Sequence, residues 1–194
     1  MSAAGKVCTG FSKPYVALYS ASGTTLTYTS GQKLARGVDV SIEPESSDDN
    51  KFYADNFEAE TEGGKFTGGT LSLTVDGLLQ AAESLIMGLP AADSDGWVHY
   101  GDSQEIPFVG IGYIARYMSD GVESYVPTVI PKCIFNQISD SAATSEDSIN
   151  FQTQSLTAQI KRSENANRDW RIRGDEEETE AAAEAAIKTM FSIT

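Results

Sequence analysis

Residues 110–115 carry the letters of a dinucleotide-binding fingerprint, with Gly110, Gly112 and Ala115 at its small-residue positions. In that motif a strand precedes the glycines, and a helix that begins at them holds the pyrophosphate at its amino terminus. Here residues 113–118 alternate as a strand does, so the required helix is missing. The glycines are therefore predicted to permit close packing within a sheet, and no nucleotide cofactor is expected.

His99 is the single histidine of the chain, so a serine or cysteine hydrolase would depend on it as general base. Residues 101–105 lack the second glycine of a nucleophile elbow. Residues 93–96 resemble the start of a calcium loop, but the glycine comes too early and no bidentate glutamate follows. We therefore expect no enzyme, no catalytic residue and no metal site, and we interpret His99 as a loop residue.

Acidic residues dominate the charge of the chain. Its 194 residues include 14 Lys and Arg against 28 Asp and Glu, a net charge of −14, which excludes a generic nucleic-acid clamp. Between residues 39 and 62 there are nine acids and one base, Lys51, and Glu58, Glu60 and Glu62 recur at period two. In a strand these three share one face, which is either a freely solvated edge or an acidic surface that the function requires.

The second charge feature is basic. Residues 161–173 hold five of the fourteen cations, namely Lys161, Arg162, Arg168, Arg171 and Arg173. An acidic run, residues 175–178, follows directly. The segment is interpreted either as pairing with that acidic run inside the subunit or as contacting another subunit. In so acidic a chain, both interpretations are favoured over a nucleic-acid patch.

Period-two alternation of Thr, Val, Tyr and Phe, interrupted by Gly, Asn and Asp, predicts a mainly β fold of antiparallel strands. Gly63-Gly64 separates two such segments, residues 57–62 and 65–76, and predicts a long hairpin that turns at the two glycines. A helix is predicted over residues 77–87, capped by Asp76 and ended by Gly88. An acidic, Ala-rich helix is predicted near the carboxyl terminus, over residues 176–191.

A chain of this length is expected to form a single domain, residues 1–194. Within it, residues 1–37 would supply N-terminal strands, residues 38–162 the core, and residues 163–194 most of the basic cluster and the last helix. Neither a transmembrane segment nor a secretion signal is evident, so we expect no membrane contact and folding in a cytoplasm. Cys8 and Cys133 form neither a disulfide framework nor a metal-ligand spacing.

Three blocks of sequence carry a family resemblance. They are Phe52-Tyr53-Ala54-Asp55-Asn56, the run Gly69-Thr70-Leu71-Ser72-Leu73-Thr74-Val75, and Glu146-Asp147-Ser148-Ile149 followed by Gln152-Thr153 and Leu156-Thr157. Together they resemble the major tail tube proteins of long-tailed bacteriophages that infect Gram-positive bacteria. The resemblance extends from about residue 38 to residue 162.

The resemblance implies an antiparallel β-sandwich with a flanking helix, in which a long hairpin completes a barrel between subunits. It implies hexameric rings that stack into a hollow virion tail tube, assembled in the host cytoplasm, through which viral DNA passes without specific binding. The expected partners are further copies of the chain, a tape-measure protein, and tail-tip and tail-terminator proteins.

Two sets of residues follow as candidates for these contacts. Side chains opposite the apolar face of the long hairpin are predicted to line the lumen, namely Glu58, Glu60, Glu62, Thr70, Ser72 and Thr74. The five cations of residues 161–173 are predicted to contact another subunit. The alternatives are a neck or tail-terminator virion protein and a non-viral β-sandwich binding module, for which the fold would be similar.

Overall fold

The computed structural model describes residues 5–54, 56–102, 104–140 and 152–193, without the side chains of Ala54, Glu58 and Ala59. Strands make up 51% and helices 11%, so the expected mainly β, antiparallel architecture with a flanking helix is confirmed. The beginning of the third resemblance block, residues 146–149, lies outside the described residues.

The described residues form ten strands and two helices. The strands are β1 (Val7–Ser22), β2 (Thr25–Lys33), β3 (Gly37–Ser46), β4 (Asn50–Ala54), β5 (Phe57–Glu62), β6 (Phe66–Val75), β7 (Val109–Ser119), β8 (Val122–Phe135), β9 (Gln154–Ile160) and β10 (Ile172–Arg173). The helices are α1 (Gln80–Met87) and α2 (Glu180–Met190).

Eight of the strands form one antiparallel sheet in the order β2-β1-β7-β8-β9-β6-β3, with β10 paired to β8. Four strands separate β1 from β3 in this order, yet the ring of Phe11 on β1 lies against Gly37 at the start of β3. The sheet therefore curls until its distant strands meet around a shared core, as the twist of antiparallel strands allows.

Alternate side chains fill the interior of the curled sheet. On β6 these are Leu71, Leu73 and Val75, each at most 1% exposed. The helix α1 packs into the same core through Ile86 and Met87, as expected for an amphipathic helix beside a sheet. Each of these large apolar side chains contributes about 1.5–3 kcal/mol by leaving water.

The second helix, α2, covers the opposite face of β1, β7 and β8 with Ile187 and Phe191. Gly110 and Gly112 lie beneath it in β7, where a Cβ atom on Gly112 would be 2.6 Å from Cγ2 of Ile187. The prediction that these glycines belong to a strand and permit close packing is confirmed. Thr179 caps the helix by accepting the N–H of Ala182 at 3.2 Å.

The beginning of α1 differs from the prediction. The helix starts at Gln80 instead of residue 77, and Leu79 occupies the N-cap position without a side-chain hydrogen bond. Asp76 is not the cap, because its carboxylate accepts the backbone N–H and the Nε of Arg36 at 2.9 and 2.5 Å. The end is as predicted, with Gly88 in the left-handed conformation.

The hairpin predicted between residues 57–62 and 65–76 is wrong, because β5 and β6 do not pair with each other. The long hairpin is instead formed by β3 and β4 on one side and β5 and β6 on the other, and its turn is not at Gly63-Gly64. β5 pairs with β4 and the chain reverses between Ala54 and Phe57, whereas β6 pairs with β3 and β9. Gly64 lies where the two ladders join, and a Cβ there would be 2.0 Å from the carbonyl oxygen of Ser47. The glycine is thus needed for close approach of two backbones, not for a turn.

Candidate assembly surfaces

The loop around His99 is organised by one carboxylate. Asp93 accepts the backbone N–H groups of Asp95 and Trp97 at 3.0 and 2.9 Å, and Nε2 of His99 lies 2.9 Å from its Oδ2. The hydrogen bond from His99 and those from the backbone hold the pKa of Asp93 below its ordinary value. These hydrogen bonds from Asp95, Trp97 and His99 hold the loop of residues 93–99 together.

Metal-ligating side chains do not converge in the part of the chain that the structure describes. No group of three or more His, Cys, Asp or Glu residues is arranged there to hold an ion. Cys133 is fully buried and burial raises the pKa of its thiol, whereas Cys8 is exposed.

A polar face lies on the outer side of β3, β6 and β9. Thr70, Ser72 and Thr74 lie on β6 between two rows of polar partners. We define the polar face as these nine exposed or half-buried residues: Asp39, Ser41, Glu43, Thr70, Ser72, Thr74, Ser155, Thr157 and Gln159. Two carboxylates and no cation occur among the nine, so the face is hydroxyl-rich and acidic.

The glutamates predicted to share this face lie elsewhere. Because β5 pairs with β4 and not with β6, Glu60 and Glu62 belong to a separate two-stranded ladder, and the same ladder contains the backbone of Glu58. Glu62 pairs with Lys65 at 2.5 Å, and the hydrogen bond from Lys65 holds the pKa of Glu62 below its ordinary value. The assumption that all six candidate residues share one continuous strand pair is therefore wrong.

Sequence reasoning missed the contribution of β9 to the polar face. Ser155, Thr157 and Gln159 lie directly beside Thr74, Ser72 and Thr70 in the ladder. The signal was available, since residues 155–160 alternate polar and apolar side chains. What the sequence lacked was the pairing partner, which lies about eighty residues away along the chain.

Two edges of the main sheet remain open among the described residues. β2 pairs only with β1, and β3 pairs only with β6. Each therefore presents backbone N–H and C=O groups that another strand can bind.

The basic segment, residues 161–173, lies between β9 and the end of β10, and most of its cations are exposed. The Arg171 guanidinium lies 4.7 Å from the centroid of the Trp170 ring, and Arg173 donates to the hydroxyl of Tyr117 at 2.5 Å. Within the described residues, none of the five cations forms an ion pair with a carboxylate.

The acidic run after this segment is not its partner within the subunit. Glu176 pairs with Lys6, and the other acids of residues 175–178 form no ion pair with the basic segment in the described part. Among the described residues, the interpretation of local charge pairing with residues 175–178 thus finds no support in the geometry.

A separate cluster of charged and polar side chains links α2 to β1. Glu184 accepts hydrogen bonds from Lys13 and from the hydroxyl of Tyr15, both at 2.5 Å, and lies 3.0 Å from Lys188. The hydrogen bond from Lys13, then that from Tyr15, lowers the pKa of Glu184 to about 2. This cluster and the burial of Phe191 hold the helix on the sheet.

Comparison with known proteins gives no assignment: no family model matches the chain, and no curated protein matches it significantly. Neither described helix is long and apolar enough to span a bilayer.

Proposed function

We propose that this chain is the structural subunit of a phage tail tube, in which hexameric rings stack into a hollow conduit for viral DNA. The observation that carries the proposal is the contrast between the two outer faces of the curled sheet. The face on β1, β7 and β8 is apolar and covered by α2, whereas the polar face on β3, β6 and β9 carries exposed or half-buried side chains in the described part of the chain. Such a subunit has one side suited to an outer wall and one suited to a water-filled lumen.

The open edges of β2 and β3 offer a way to assemble. Strand addition between copies would satisfy their free backbone groups and would close the separate sheets into a ring. On this proposal the subunit is a β-sandwich of the tail tube type. The width of the lumen is then set by the strand pairing that closes the ring of subunits.

The chemistry of the polar face suits the passage of DNA. Asp39 and Glu43 are exposed and repel phosphates, while the hydroxyls of Thr70, Ser72 and Thr74 stay hydrated and bind no phosphate tightly. Six copies in each ring would repeat this acidic lining around the lumen. DNA would slide along such a wall instead of adhering to it.

The position of the polar face is testable by labelling. In a Cys8→Ser background, Ser72→Cys should be protected from a bulky maleimide in assembled tubes, whereas Thr189→Cys on α2 should react at once. Equal and rapid labelling of both would show that the polar face lies outside and would refute the lumen assignment.

The function itself is testable by ejection. Ser72→Lys places six cations in each ring, so tubes should form normally while DNA passage slows, and the matched variant Thr189→Lys should pass DNA at the normal rate.

In the virion the subunit would contact tape-measure, tail-tip and tail-terminator proteins. Single rings that never stack would instead favour a neck or terminator protein, and a monomer would favour a binding module.

A further inference from the structure

The outer half of the long hairpin forms an arm that lies outside the main sheet. We define the acidic arm as β4 and β5, which pair only with each other in the described part of the chain. Phe52, Tyr53 and Phe57 are 62%, 60% and 77% exposed. An isolated two-stranded hairpin is marginally stable in water, and exposed aromatic groups mark contact surfaces.

The aromatic and acidic groups of this arm are placed together. Phe52 lies directly opposite Glu60 in the ladder, and Asn50 lies opposite Glu62. Residues directly opposite each other in an antiparallel pair share a face. One face of the arm therefore offers the Phe52 ring beside the Glu60 carboxylate, next to Glu62, which pairs with Lys65. An aromatic ring beside a carboxylate suits a guanidinium group.

The basic segment has the complementary character. Residues 161–173 carry five cations and two acids, a net charge of +3, and residues 50–62 carry four acids and one base, a net charge of −3. Of the two acids in the basic segment, Glu164 already pairs with Lys132. Arg171 lies over the Trp170 ring, so this segment also combines charge with an aromatic surface.

We propose that the acidic arm of one copy binds the basic segment of a second copy. This inference rests on the proposed self-assembly and names its contact. The arm and the basic segment of the same copy are not paired: within the described residues no ion pair joins Glu60 or Glu62 to the five cations. The rings of Phe66 and Trp170 stack at 4.6 Å, which places the basic segment at the root of its own arm, whereas the exposed aromatic groups lie toward the tip.

This placement determines how the copies are related. Six residues of β5 span about 20 Å at 3.3 Å each, so a second copy shifted by about that length along the arm presents its basic segment to the arm of the first. The contact is then heterologous, because the acidic arm of each copy contacts the basic segment of the next copy. Such a contact repeats in one direction without closing on itself. The arm contact would thus join successive rings, while the open sheet edges join copies within a ring.

Charge reversal tests the pairing. Glu60→Arg alone and Arg171→Glu alone should each raise the protein concentration needed for stacking by about tenfold, and the chain carrying both changes should recover most of the loss. Asp102→Lys, at an exposed acid far along the sequence from both segments, is the matched control and should stack normally. Stacking of the wild type should also weaken as salt rises.

Cross-linking tests the geometry. In a Cys8→Ser background, Glu60→Cys together with Arg171→Cys should give covalent ladders between copies on mild oxidation, and Glu60→Cys together with Val122→Cys should not. If tubes form but the charge variants stack normally and the first cysteine pair gives no ladder, the arm contact is refuted and the proposed function survives. If the wild type stays monomeric at high concentration, both are refuted.

Discussion

Substitution of Gly112 by alanine tests whether the glycines of β7 exist to admit α2. The added Cβ would lie 2.6 Å from Cγ2 of Ile187 and 3.0 Å from the Phe191 ring, and both side chains are at most 1% exposed. Overpacking of this kind costs about 1–3 kcal/mol, and removing a glycine from the unfolded chain returns about 0.5 kcal/mol. The net loss is about 0.5–2.5 kcal/mol.

For a chain of this size that loss lowers the melting temperature by about 1–10 °C, measurable by calorimetry or circular dichroism. Gly101→Ala is the matched control, because nothing lies within 4 Å of its Cβ position, and its stability should be unchanged or slightly higher. In an Ile187→Ala background most of the cost of Gly112→Ala should vanish, since the nearest clashing atom is gone. A Gly112→Ala protein as stable as the wild type would refute the packing argument.

Three further outcomes follow from the structure. Because the folded pKa of Glu184 is lowered to about 2, its contacts stabilise the protein above about pH 4.5 and are lost as pH falls toward 2, so Glu184→Gln should destabilise at pH 7 and little at pH 2 by denaturant titration. A thiol reagent should modify Cys8 alone in the native protein and Cys133 only after unfolding. Gly88→Ala should lower stability by more than about 1 kcal/mol in thermal unfolding, because it combines φ of +63° with a Cβ 1.9 Å from a carbonyl oxygen.

Features governed by local alternation were predictable from the sequence. The inward Leu71 and Leu73, the outward Ser72, and the strand assignment of Gly110 and Gly112 all followed from period-two patterning. The C-terminal helix followed from its apolar spacing in the same way, but it begins at Glu180 and not at residue 176, because Glu177 forms a β-bridge with Tyr125.

Features governed by distant pairing were not predictable. Gly-Gly is a common sequence in hairpin turns, but Gly64 lies between β5 and β6, where its lack of a side chain lets the backbone of Ser47 approach closely. The chain reverses instead between β4 and β5. Asp76 is of a residue type that often caps helices, but its carboxylate accepts hydrogen bonds from Arg36 instead. In both cases a residue remote in sequence overrides a local preference.

The most direct test of the central claim is electron microscopy of the purified protein at high concentration, with and without a tail-tip complex as initiator. The tube account predicts hollow six-fold rings that stack into tubes. Particles that remain monomeric under both conditions, with sedimentation confirming a single 20.8 kDa species, would contradict it.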